Sequence, residues 1–314
     1  MIPAPMIPAQ DCFAPSMLSA SGARLRAARF DAGPGADPRG VCVLLNGQTE
    51  FIEKYFEVID ELRGRGFAVA ALDWRGQGGS ERLLKDPLKA HIADFAQYDA
   101  DLDCLMAGMV EPMLGGARPI ALAHSMGGHI LLRALRRDPG RFRAAVLSAP
   151  MLRFSTRGRP RWLARLATAW MTARGRTADF VWGMEKRDPL RLGFADQLVT
   201  SDPVRFRRAQ DFLAAHPDLR LAGPTWGWVA AAYRSLAGIS RAGFAEAIAT
   251  PALLVGAEKD RIVVTAAARA FAARMPHADY LEIAGAEHEI LMERDVFRAR
   301  FWQAFDAFLA AQGI

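Results

Sequence analysis

An α/β fold with a doubly wound, mostly parallel sheet is what the sequence predicts, and three observations carry the prediction. Apolar runs of strand length alternate with stretches of helical periodicity from Ala23 onward. That rhythm stops after Pro150 for about ninety residues rich in Trp and Arg, and it resumes at Pro251. Repeated βα units favour parallel pairing with right-handed crossovers, so the interruption reads as an insertion into one sheet.

Taken in order, Ala23 to Phe30 reads as an edge strand, and the Gly/Pro-rich turn Gly33 to Gly40 precedes a buried strand, Val41 to Leu45. Tyr55, Phe56, Ile59 and Leu62 recur at helical spacing, and Gly64 and Gly66 close that helix before the strand Phe67 to Leu72. A helical stretch from about Ile92 to Met113, the strand Pro119 to Ala123, a helix from Met126 to Arg137 and the strand Ala144 to Ser148 follow. Beyond the interruption come the strand Pro251 to Val255, a helix at Thr265 to Arg274 and the strand Asp279 to Ile283. The last helix carries Phe297, Phe301, Phe305 and Phe308 on one face, which should dock it on the sheet. The organisation expected is an N-terminal arm at 1–22, a core at 23–151 and 246–314, and a helical cap at 152–245 inserted after the sixth strand. The arm repeats Met-Ile-Pro-Ala at 1–4 and 6–9, too short to be a structural repeat.

With 314 residues, 51% of them hydrophobic, the chain can bury a large core without disulfides or metals. No apolar stretch approaches the roughly 20 residues of a membrane-spanning helix, and residues 1–10 contain no basic residue and no long apolar run, so a cytoplasmic protein is expected. Cys12, Cys42 and Cys104 fit neither a zinc nor a C-x-x-C pattern and read as buried thiols. The formal charge is +6, and 35 of the 40 basic residues are Arg.

The chemistry centres on Ala123-His124-Ser125-Met126-Gly127, which leaves a predicted strand and opens a predicted helix. That is the setting of a nucleophile elbow, the strained turn of the α/β-hydrolase fold that lifts a serine hydroxyl above the sheet edge. A serine hydroxyl needs a base, and the base needs an orienting acid. In this fold the order is serine, acid, histidine, which points to Ser125, then Asp260 or Glu258 after the penultimate strand, then His288 after the last. Amides for the oxyanion should come from Met126 and from the loop Asn46-Gly47-Gln48-Thr49-Glu50, with Gln48 as candidate. The segment Asp73 to Ser80 lacks the lysine of a phosphate loop and reads as a structural turn. The triad and two amides imply no metal or organic cofactor.

Together with Thr200-Ser201-Asp202-Pro203, Gly223-Pro224-Thr225-Trp226-Gly227-Trp228, Asp260-Arg261 and His288-Glu289, these motifs resemble the α/β-hydrolases related to bacterial lysophospholipases and monoacylglycerol lipases, grouped with serine aminopeptidases. The resemblance spans roughly Gly40 to Phe308 and departs from the commonest pattern at Ala123, for Gly, and Asn46, for His. It implies cleavage of a carboxylic ester of a single-chain lipid, favours Asp260 through its Gly-x-x-x-Asp-Arg pattern, and places Trp226 and Trp228 among the substrate-binding residues. The rivals are a serine aminopeptidase and a binding protein that kept only the fold.

Between Met151 and Ser240 there are 15 basic against 7 acidic residues, a net of +8, and five of the seven tryptophans: Trp162, Trp170, Trp182, Trp226 and Trp228. Two readings fit. Basic residues such as Arg157, Arg159 and Arg161 and interfacial Trp suit peripheral contact with an anionic membrane surface. Alternatively, the tryptophans are the core of a helical lid and the arginines its solvated face. No nucleic-acid-binding motif accompanies the charge.

Overall fold

The computed structural model describes residues 8–314 apart from 157 and 159; most of the Met-Ile-Pro-Ala repeat, with Arg157 and Arg159, lies outside the described residues. An eight-stranded sheet is formed by β1 (Ser16–Ala20), β2 (Ala23–Phe30), β3 (Gly40–Leu45), β4 (Phe67–Leu72), β5 (Ile120–His124), β6 (Ala144–Ser148), β7 (Ala252–Ala257) and β8 (Ala278–Ile283). Its order is β1-β2-β4-β3-β5-β6-β7-β8. The pairs β1–β2 and β2–β4 are antiparallel and all others parallel. The described part of the expected arm contains a sheet strand: β1 belongs to the sheet, behind a short helix α1 (Pro8–Asp11). The sequence Ser-Met-Leu-Ser-Ala lacks clean alternation because this edge strand buries little of either face.

Every residue of β5, β6 and β7 is buried, as parallel strands covered on both faces require. One face is covered by α2 (Phe56–Gly64) and α9 (Asp295–Ala311), where Phe297, Phe301, Phe305 and Phe308 all join the core. The other carries α3 (Ala96–Leu105), α4 (Met126–Arg137) and α8 (Thr265–Ala272). The helical stretch expected over 92–113 is shorter: Ile92 and Phe95 are buried ahead of α3, which passes into a π turn at Met106–Val110 and a 3₁₀ turn at Glu111–Met113. Only Cys42 of the three cysteines is buried; Cys104 is half-buried and Cys12 exposed.

After β6 the chain leaves the sheet and builds α5 (Arg161–Ala173), α6 (Pro203–Ala215) and α7 (Trp226–Ile239), joined by short 3₁₀ turns. A two-residue parallel pairing of Lys89–Ala90 with Gly223–Pro224 stitches this insertion to the loop beyond β4. Among the described residues no helix is long and apolar enough to cross a membrane.

Candidate active site

Ser125 stands between β5 and α4 with φ +49°, in a region L-residues avoid. Three bonds hold it there: its N–H donates to the Ser148 carbonyl (3.0 Å), and its own carbonyl accepts from Met151 (2.9 Å) and His129 (3.1 Å). The turn needs glycine at 127, because a methyl there would collide with the carbonyl oxygens of Leu45 and Asn46. Ala123 sits fully buried without difficulty. Among the described residues the other two non-glycine residues with positive φ, Thr49 and Ala149, also follow the C-terminal ends of strands β3 and β6, so strain gathers on this edge of the sheet.

The structure brings Ser125, His288 and Asp260 into one hydrogen-bonded chain. The Ser125 hydroxyl lies 3.0 Å from His288 Nε2, and His288 Nδ1 lies 2.7 Å from Asp260 Oδ2. The second oxygen of Asp260 accepts the Ile262 and Val263 amides, both at 2.8 Å, which fixes the carboxylate. Glu258 is employed elsewhere, accepting the Gly285 amide at 2.7 Å and so bracing the turn before His288. Burial alone would lower the imidazole pKa, but Asp260, with Glu289 and Glu50, holds it above its ordinary value.

A second cluster, missed in the sequence, lies behind this chain. Lys54 Nζ sits 2.9 Å from Glu50, which is buried, and 2.6 Å from Glu289, and Lys54 and Glu289 are themselves largely covered. Burial would raise the Glu50 pKa, yet Lys54, His124 and the Tyr55 hydroxyl bring it down to about 2. Glu50 Oε2 in turn accepts the Gly47 amide and the Tyr55 hydroxyl, which pins the loop bearing Gln48. His124, whose ring lies 4.9 Å from that of His288, is kept neutral by burial, with a pKa lowered to about 4. Nothing in the local sequence marks the cluster, because Glu50, Lys54 and Glu289 each stand beside other polar residues, Thr49, Glu53 and His288.

The segment Asp73 to Ser80 is structural, and it serves this loop. Gln77 Nε2 donates to the Gly47 carbonyl (2.8 Å) and the Glu50 carbonyl (3.2 Å), while Asp73 accepts the Ile52 and Gly79 amides. Gln48 is partly buried, and among the described residues its side-chain nitrogen has no partner. Met126 opens α4, so its amide has no acceptor within its own helix. Trp226 and Trp228 are both 3% exposed. Trp228 packs against Phe95 and Phe154 and donates to the Tyr98 hydroxyl, whereas Trp226 stacks edgewise on Trp182 and its indole nitrogen is unpartnered among the described residues. Thr200, Ser201 and Asp202 tie the cap to the His288 loop: Thr200 bonds Met292, Ser201 bonds Glu293, and Asp202 caps α6.

A parallel sheet with a strained serine at its central strand, faced by a histidine and an aspartate from the last two strands, is the arrangement of an α/β-hydrolase. Residues 36–295 match the family described as serine aminopeptidase, S33, and the chain belongs to that family. Lysophospholipase L2 of Escherichia coli K12 is 37% identical over 267 residues, which are 82% of this chain and 77% of that protein. A monoacylglycerol lipase of Mycolicibacterium smegmatis is 29% identical over 268 residues, 83% and 85% of the two chains. A soluble variant of monoglyceride lipase from Saccharomyces cerevisiae, solved with a substrate analogue, shares the fold with a TM-score of 0.74 at 16% identity, over 95% of this chain and 94% of that one. The chain is a carboxylic ester hydrolase.

The elbow geometry makes a specific prediction. Gly127→Ala should leave the protein folded but displace the turn, and the rate of Ser125 labelling by a fluorophosphonate should fall at least about tenfold, the effect of about 1.4 kcal/mol. Labelling at the wild-type rate would mean that the turn accommodates a methyl after all.

Proposed function

We propose that this protein hydrolyses the carboxylic ester of a single-chain lipid, a lysophospholipid or monoacylglycerol, through an acyl-enzyme on Ser125. The observation that carries the reading is the chain of hydrogen bonds from Ser125 through His288 to Asp260. Ser125 Oγ attacks the ester carbonyl as His288 Nε2 takes its proton, and Asp260 holds the opposite N–H and stabilises the imidazolium. The amides of Met126 and Gln48 receive the oxyanion. Collapse expels the alcohol, protonated by His288, and leaves the acyl-serine. Water, deprotonated by the same imidazole, then releases the fatty acid and restores the hydroxyl.

Trp226 and Trp228 enter as the cap-side wall of the substrate site. The relatives named lysophospholipase and monoacylglycerol lipase support the lipid ester. A peptide substrate with a free ammonium would need an uncommitted carboxylate beside the site. The carboxylates there, Glu50 and Glu289, are already shared with Lys54.

Peripheral contact with an anionic membrane surface, from the cytoplasmic side, belongs to the same reading. On α5, Trp162, Leu166 and Trp170 follow one another at four-residue spacing, and all are about half exposed or more. Arg174 stacks on Trp170 at 4.4 Å. An amphipathic helix with Trp on its apolar face and a basic surround suits the lipid interface. Trp182 is exposed as well, so the tryptophans of the cap divide between its core and its surface.

Three outcomes test this reading. Fatty acid should be released from lysophosphatidylcholine, lysophosphatidylglycerol or monoacylglycerol by the wild type and not by Ser125→Ala. Cleavage of an amino-acid anilide alone would establish the aminopeptidase instead. Because the base acts unprotonated and its pKa is raised, activity should fall as the pH drops through that raised pKa. The acid limb of kcat/KM should therefore lie above about 6.5, the ordinary imidazole value. Finally, Leu166→Asp should weaken sedimentation with phosphatidylglycerol vesicles while leaving hydrolysis of a monomeric short-chain ester intact.

A further inference from the structure

Resting on the lipid-ester reading above, we propose that the cavity between α5, α7 and residues 152–156 binds the phosphate of a lysophospholipid headgroup. The cavity measures about 60 Å³, and its lining includes the apolar Leu152, Phe154 and Leu236, the basic Arg153, Arg161 and Arg165, and Tyr233. No carboxylate lines it.

The three guanidinium-bearing residues differ from the arginines that close gaps within the fold, and they line one cavity. Arg75 is paired with Asp101, Arg133 with Asp99, and Arg205 with Glu57, Asp202 and Asp295. Among the described residues Arg153, Arg161 and Arg165 have no acidic partner. The Arg165 guanidinium lies 5.5 Å from the Tyr233 ring. Arg161 and Arg165 are also separated by one helical turn, where like charges repel. Three cations around one concavity raise the energy of the empty site and lower that of an anion within it. Arginine presents paired N–H groups that match phosphate oxygens, and the Tyr233 hydroxyl adds a donor that makes no hydrogen bond to another described residue. A volume of 60 Å³ holds several waters at about 10–15 Å³ each, which is the scale of one phosphate group. The apolar wall suits the glycerol carbons beside it.

Two main-chain links join this cavity to the reacting groups. The Met151 amide bonds the Ser125 carbonyl, and Leu152 is the next residue. Phe154 pairs with Val263, whose amide bonds Asp260. In this proposal the headgroup side of the substrate lies on the Asp260 side of the site. The choice between a phosphate-bearing and a neutral single-chain lipid falls to these three arginines.

The test compares lysophosphatidylcholine and monoacylglycerol, both with the same six-carbon acyl chain and both below their micelle-forming concentrations, so that no lipid surface is present. In Arg161→Ala/Arg165→Ala the ratio of the two KM values should shift about tenfold or more against the phospholipid, the effect of losing one charge-assisted bond. Arg161→Lys/Arg165→Lys should recover part of it. Equal changes for both substrates, or none, would overturn the proposal, as would a loss confined to long-chain lipid in vesicles, which would assign the arginines to the bilayer. A direct arm separates the site from the reaction: Ser125→Ala, titrated calorimetrically with glycerol 3-phosphate and with inorganic phosphate, should bind the former, and the added arginine changes should abolish it. Identical binding with and without the arginines would refute the site even if Ser125 proves catalytic. If no ester is cleaved but this binding is lost with the arginines, the ester-hydrolase reading fails and the phosphate site stands.

Discussion

The geometry of the reacting edge depends on one ammonium group buried between two carboxylates. Lys54 lies on the turn before α2, Glu50 on the loop after β3, and Glu289 next to His288, 235 residues further along the chain. An isolated ammonium in such a place would cost several kcal/mol, and removing one partner of a buried pair typically costs about 3–5 kcal/mol. Neither loop can relax independently without exposing that cost. The clamp thus ties the loop bearing Gln48 to the loop bearing His288, two segments far apart in the sequence. Gln77 secures the first loop from its other side, and Glu293 the second, by accepting the amides of Glu287 and Ser201.

Much of this was legible in the sequence, for reasons particular to each element. Strands buried on both faces read as unbroken apolar runs, so Phe67–Leu72 and Ala144–Ser148 could be delimited to the residue. The helix Met126–Arg137 was equally plain, because it begins at the elbow. The edge strand Ser16–Ala20 was not, since its definition comes from pairing with β2 and not from its own composition. Asp260 and Glu258 could not be separated by residue type. What separates them is loop conformation, which gives Asp260 two amides and the imidazole and gives Glu258 the Gly285 amide. Lys54 and Glu289 were invisible as a pair because nothing local announces a contact across that separation.

Charge is used in two ways in this arginine-rich chain. Within the core, guanidinium groups close gaps between elements: Arg26 bridges Glu53 and Asp73, and Arg75 is sealed against Asp101. Toward the cap the balance changes, and cations accumulate without matching carboxylates. The same residue type therefore acts as internal scaffolding in one region and as a source of unsatisfied positive potential in another.

The fastening of the cap has a mechanical consequence. His129 of α4, the helix that starts just after Ser125, bonds Ser235 of α7 at 2.6 Å, and Arg133 joins the same hydroxyl. On the opposite flank Arg205 and Arg208 of α6 grip Glu57 of α2. A hinge that swung the whole insertion aside would have to rupture both attachments and pull on the elbow itself. Helix α5 has no comparable tether to the core among the described residues, so it is the compliant third of an otherwise rigid roof. Breathing of the enclosure is thereby channelled to the one helix whose outer face is apolar, and any surface that held that face would also hold the door.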